Sequence, residues 1–504
     1  MRHTLRFFAR VGRYLAWGAL GFILGAFGFY VYLLRSGPPL QPWHTEQLTA
    51  EFTAAKSEDI LSLDDYLRLE DELFAQLDEL VYARVNTGPA HQLARYSRDS
   101  SADPARWRTN WNRSFEFPAR RAAGGALLLH GMSDGPFSLR ALGEALAARG
   151  YWVLALRLPG HGSLPAGLKT GSWEDMAAAV DLGMSHLAAK VRRAPIHIIG
   201  YSTGAPLALD FTLRALEGRS TPMPASLSLI SPAIGVHPVA GLAGWKNTLA
   251  ALPGLQKLAW TQILPEFDPF KYNSFTSNAA EQVHRLTRSV ARRIEARAAS
   301  GPIEAFPRTL VALSIIDATV STDAVVDNLF AHVAARRHEL LLFDINHASV
   351  KSAIMVSNPR PLIERLMAEN TLPFGLTLVT NENAESNRVV SYRKKALSAE
   401  VSTSRLNLHW PQEVISLSHV ALPFPPDDPL YGQSAPGNGD IIFLGQLAIQ
   451  GERGLLKLSG DWLLRLRHNP FYDYLERRVF EWLDGAHGGG EPAASADDVT
   501  KLQM

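Results

Sequence analysis

The residues best suited to chemistry centre on Gly200-Tyr201-Ser202-Thr203-Gly204, a serine between two glycines. An apolar run, Ile196-His-Ile-Ile199, precedes it, and a small-residue stretch, Ala205-Pro-Leu-Ala-Leu209, follows. Strand, tight turn and helix in that order hold a serine in a strained conformation that lifts its hydroxyl above a sheet. Side chains two residues away on either side would strike adjacent elements, which is why glycine is needed there. The pentapeptide alone is weak; its strand-and-helix setting makes it strong.

A serine hydroxyl needs a base, and the base needs a carboxylate to orient it. For a serine on such a turn the chain order is serine, acid, histidine. Asp317 ends the apolar run Leu310–Ile316 and opens the turn Asp-Ala-Thr-Val-Ser-Thr, which puts a carboxylate at the same sheet edge as the serine. Asp323 and Asp327 fall in the helix expected next and read as solvated charges, leaving Asp344 as the competing acid. Two histidines compete as base. His347 follows Leu-Leu-Leu-Phe-Asp-Ile-Asn, 30 residues after Asp317; His419 follows Val414–Ser418, 102 residues after it. His419 is preferred, because strand, histidine, loop and terminal helix form the expected ending, with His347 as the alternative base. His130, His161 and His197 read as structural.

Residues 127–162, LLLHGMSDGPFSLRALGEALAARGYWVLALRLPGHG, and 197–209, HIIGYSTGAPLAL, resemble the α/β-hydrolase fold. The branch they resemble contains the monoacylglycerol lipases and related bacterial carboxylesterases. The likeness is strong over about 124–215, moderate at 226–232 and 308–330, and weak elsewhere. It implies that the backbone N–H groups of Met132 and Thr203 form an oxyanion hole, and Ser-His-Val at His419 is similar to the family's histidine loop. It further implies a serine esterase of lipase or carboxylesterase type, acting on a small-molecule or lipid-like ester with no cofactor or metal. A thioesterase or amidase using the same triad, or a non-catalytic membrane-tethered binding module, are the alternatives. A dehalogenase is disfavoured, since that use of the fold puts aspartate where Ser202 stands.

The elements that must position these residues alternate strand and helix from Gly124 onward. Apolar runs within 124–131, 151–162, 194–204, 226–233 and 308–317 are separated by amphipathic stretches such as Leu139–Gly150 and the Ser172-capped Trp173–Val191. This alternation predicts a mostly parallel sheet with helices on both faces. Further strands are expected at 339–345, 376–380 and 413–418, and a last helix at 471–483. Residues 236–305, with Trp245, Trp260 and FDPFKYNSF, break the rhythm and are expected as a helical cap. The expected organisation is an N-terminus and membrane span over 1–35, a linker and helical neck over 36–104, and a hydrolase domain over 105–484. A disordered tail over 485–504 ends the chain.

The 504 residues are 46% hydrophobic and 20% charged, an ordinary globular balance, and include no cysteine. Disulfides and thiol nucleophiles are thereby excluded. Lys plus Arg is 50 against 49 Asp plus Glu, so no global charge invites nucleic acid. Between Arg13 and Arg35 lie 21 uncharged residues, the length of a bilayer-spanning helix. Arg2, Arg6, Arg10 and Arg13 precede that span, so the positive-inside bias predicts a single-pass inner-membrane anchor with the body on the exported, periplasmic side.

Overall fold

The computed structural model describes residues 2–235, 249–317, 320–349, 355, 358–437, 441–445 and 464–485. The part of the expected cap at 236–248, with Trp245, and the tail from 486 lie outside the described residues.

The central strands are β1 (Phe115–Phe117), β2 (Gly125–Leu129), β3 (Trp152–Leu156), β4 (Ile196–Tyr201) and β5 (Ser226–Ile230). A small ribbon, β6 (Trp260–Gln262) with β7 (Phe275–Thr276), lies in the segment expected as a cap. The sheet continues with β8 (Arg308–Ser314), β9 (His338–Phe343), β10 (Gly375–Asn381), β11 (Arg388–Lys394) and β12 (Val401–His409). Among the described residues ten strands share one sheet in the order β1-β3-β2-β4-β5-β8-β9-β10-β11-β12. Neighbours from β3 to β10 are parallel; β1 and the β10–β11–β12 meander pair antiparallel.

Alternation along the strands explains the layers. Leu127, Leu129, Ile198, Leu227, Val311 and Leu340 point into the core on one face. Leu128, Ile199, Ile230, Leu310 and Leu341 point into the core on the other. A strand buried on both faces reads as a continuous apolar run, which is how β2, β4 and β9 look in sequence.

Several expected boundaries shift for local reasons. The strand expected over 226–233 ends at Ile230, because Ser231 adopts φ +43° and Pro232 follows. Between residues 45 and 86 the α-helix covers only Leu63–Leu80. Its start is fixed by Ser62, whose hydroxyl accepts from the Asp65 N–H while Asp65 bonds back to the Ser62 N–H. The strand expected at 413–418 is an isolated bridge between Ile345 and Ser416. The Asn346 backbone N–H donates to Ile415 O at 2.8 Å and its side-chain amide to Val414 O at 2.9 Å, so one asparagine holds that segment in place of a ladder.

The segment expected as linker and neck packs closely on the body. Trp43 stacks on Tyr96, and His44 Nε2 lies 3.1 Å from Ser274 Oγ. Arg157, 1% exposed, is held by Glu70 at 2.9 Å and Glu51 at 3.0 Å, and Glu51 also accepts from the Gly160 N–H. A buried cation is tolerable only when such partners surround it. Preceding this, the helix Arg2–Ser36 contains a window, Arg10–Tyr30, that is apolar enough to cross a membrane and is wholly unburied.

Candidate active site

Ser202 follows β4 directly and takes φ +51°, the left-handed region that costs energy for any residue with a Cβ. Helix Gly204–Leu216 begins two residues later. A Cβ on Gly200 would lie 2.6 Å from Gly204 O, and one on Gly204 would lie 2.0 Å from Leu129 O. Neither space exists, so the turn demands both glycines. Backbone bonds fix it further: the Ser202 N–H donates to Ile230 O, and Ser202 O accepts from the N–H groups of Ala205 and Ala233.

The structure brings three of the expected residues into one chain of contacts. His419 Nε2 lies 2.9 Å from Ser202 Oγ, and His419 Nδ1 lies 2.7 Å from Asp317 Oδ2. These partners require the tautomer in which Nδ1–H donates to the carboxylate and Nε2 accepts from the hydroxyl. The Asp317 side chain is fully buried, and its Oδ1 accepts from the Val320 N–H at 3.0 Å. Asp317 stands just beyond β8, and β8 is two places from β4 in the sheet, so both ends open at the same edge. His419 arrives from the far side of the β10–β12 meander, on the segment that Asn346 clamps.

The alternative base bonds elsewhere. His347 Nε2 lies 2.8 Å from Asp344 Oδ2, so the competing histidine and the competing carboxylate pair with each other. Thr380 also donates to Asp344 Oδ2, and the His347 N–H donates to Asn381 Oδ1. Asp323 meets Arg365 on the surface, as a solvated charge should. His130 accepts from the Leu158 N–H at 3.0 Å, and His161 lies 3.0 Å from Pro159 O. Burial drives the His130 imidazole well below its usual range and the His161 imidazole down to about 4, so both are neutral struts. His197 meets Ser226 Oγ between strands.

Met132 and Thr203 flank Ser202 from two loops. Gly131 approaches so closely that a Cβ there would sit 3.0 Å from Ser202 Cβ. Among the described residues neither the Met132 nor the Thr203 backbone N–H is bonded to a protein acceptor.

One polar pair at the site went unread in the sequence. Asp134, buried in the same loop as Met132, meets Lys271 Nζ at 3.2 Å. Burial raises the Asp134 carboxyl, and Lys271 opposes the rise. The loop is braced again where the Tyr272 N–H donates to Ser133 O at 2.8 Å. The available signal was FDPFKYNSF, whose lone lysine lies among aromatics.

A model of the alpha/beta hydrolase family matches residues 126–365, a span that includes Ser202 and Asp317 and stops before His419. A thermostable monoacylglycerol lipase of Bacillus sp. (strain H-257) is 38% identical over 93 residues, 18% of this chain and 36% of the lipase. The chain thus spans about a third of the length of that curated relative. Among solved structures, the Paleococcus ferrophilus monoacylglycerol lipase covers 46% of this chain and 88% of its own at 17% identity and a TM-score of 0.35. A soluble variant of the Saccharomyces cerevisiae monoglyceride lipase covers 46% and 82% at 12% identity and a TM-score of 0.37. The sheet order, the glycine-locked serine turn and the family match lead to one conclusion: the chain has the α/β-hydrolase fold and resembles the monoacylglycerol lipase and esterase branch.

Proposed function

We propose that the protein is a membrane-anchored serine hydrolase that cleaves a carboxylic ester through an acyl-enzyme on Ser202. The observation that carries this reading is the unbroken contact chain Ser202 Oγ, His419, Asp317, at 2.9 and 2.7 Å. His419 takes the serine proton as Oγ attacks the ester carbonyl, and Asp317 holds the imidazole and offsets its developing charge. The amides of Met132 and Thr203 receive the oxyanion, each such donor being worth about 3–4 kcal/mol in the transition state. His419 then gives its proton to the departing alcohol. Water, activated by the same histidine, releases the acid and restores Ser202.

The apolar helix Arg10–Tyr30 is the anchor in this reading, and the arginines before it keep the N-terminus cytoplasmic and the site on the exported side. A fluorophosphonate probe tests the chemistry. It should label the wild type and not Ser202→Ala; equal labelling of both, or of neither, would overturn the reading. Turnover of matched ester, thioester and amide substrates separates an esterase from a thioesterase or amidase. A reporter enzyme fused after residue 45 should be active only in the exported compartment.

A further inference from the structure

Met132, assigned to the oxyanion in the proposed reaction, is followed by Ser133 at φ +63°. A residue with a Cβ occupies that left-handed region at a cost, and stays there only where its surroundings hold it. Within the loop the Asp134 N–H donates to Gly131 O at 3.3 Å, a long bond. The firmer restraints come from two consecutive residues far along the chain. Lys271 Nζ lies 3.2 Å from Asp134 Oδ2, and the Tyr272 N–H donates to Ser133 O at 2.8 Å.

The segment that carries these two residues is itself fixed. Asp268 Oδ1 accepts from the Phe270 and Lys271 N–H groups, both at 3.1 Å. Glu266 accepts from those of Asn273 and Ser274. The Phe270 ring stacks on Phe137, with centroids 4.4 Å apart. Asp268 Oδ2 accepts from the Tyr431 hydroxyl at 2.6 Å, on the chain that leads away from His419. One segment therefore braces both the loop of Met132 and the chain beyond the base.

Asp134 is 5% exposed, and its carboxylate folds back over Gly131. A Cβ on Gly131 would lie 3.2 Å from Asp134 Oδ2 and 3.0 Å from Ser202 Cβ. A negative charge is thus buried beside the serine, where it would oppose a developing oxyanion unless a cation balanced it. For stability alone an uncharged side chain would serve the loop as well or better, since burying an ion pair gains little.

On the serine-hydrolase reading above, we propose that Lys271 is a positioning residue for the oxyanion hole. Through Asp134 it holds the Met132–Ser133 turn so that the Met132 N–H meets the oxyanion, and it balances the carboxylate beside Ser202.

The full-length chain in detergent tests this with 4-nitrophenyl butanoate as substrate and phenylboronic acid as a tetrahedral mimic. Lys271→Met should lower kcat by about 30-fold or more while KM moves by less than about threefold. It should weaken the boronic acid by a factor close to the loss in kcat/KM, since both read the oxyanion site. The chain has no cysteine, and the Lys271 side chain is 27% exposed, so Lys271→Cys can be modified selectively. Aminoethylation, which restores an ammonium, should recover turnover by about tenfold or more, and methylthiolation, which leaves the site neutral, should not. That recovery keeps the test decisive if Lys271→Met does not fold. Wild-type kcat in Lys271→Met, a loss confined to KM, unchanged boronic acid affinity, or equal recovery with both reagents would overturn the role of Lys271 alone. A wild type that turns over no ester would overturn the hydrolase reading and this role with it.

Discussion

Two histidine–aspartate pairs stand at adjacent strand ends. Asp317 follows β8 and holds His419 at 2.7 Å; Asp344 follows β9 and holds His347 at 2.8 Å. By distance they are nearly the same. They differ in what lies on the other side of the ring and in what else the carboxylate serves. His419 presents Nε2 to Ser202, and Asp317 spends its spare oxygen on the turn at Val320. Asp344, by contrast, also accepts from Thr380 and from the Ile345 N–H, and thereby ties β9 to β10 beside the Asn346 clamp. A His–Asp contact is therefore no mark of catalysis. Its meaning comes from whether a nucleophile completes it.

The comparison can be broken by substitution. His419→Ala should lower kcat/KM for an activated ester by ~10⁴-fold or more, and His347→Ala by less than ~10-fold. Comparable losses in the two would erase the distinction. Asp317→Asn should cost about 10³-fold in turnover with the fold intact by circular dichroism. Asp344→Asn should instead act on stability, losing about 1–3 kcal/mol in urea unfolding because it leaves buried donors with a poorer acceptor.

Histidines without a carboxylate sharpen the contrast through pH. His161 sits among backbone groups and is pushed down to about 4 by burial, below its unfolded value of 6.5. Its neutral form is the folded one, so its contribution is complete above pH 6.5 and is lost as pH falls toward 4. At pH 5 that loss amounts to ~2 kcal/mol, and His161→Asn should flatten the wild-type slope of stability between pH 7 and 5. Smallest of all, Thr380→Val should cost about 1 kcal/mol and leave turnover unchanged, since it removes one bond to Asp344 and touches neither Ser202 nor His419.

The serine turn was legible because its requirements are local: two glycines, a strand before and a helix after. Asp317 could be placed by the same logic, from the end of an apolar strand. The choice between His419 and His347 was harder, because it depends on β11 and β12, which have little sequence signature. Val401–His409 is mostly exposed, and its Ser-Thr-Ser run resembles a loop as much as a strand. The Asp134–Lys271 pair was out of reach, since 137 residues separate its members and only folding brings them together.

The meander has one more consequence, for solubility. Without it the parallel sheet would end at β9, whose Leu340-Leu-Leu-Phe343 would lie along an open edge with unpaired backbone groups, a template for aggregation. With it the edge passes to Val401–His409, whose serines, threonine, arginine and asparagine are exposed to water while Leu406 and Leu408 are half-buried. The segment between Asp317 and His419 thus does two jobs: it brings the His419 imidazole to Ser202, and it moves the sheet's sticky border inward.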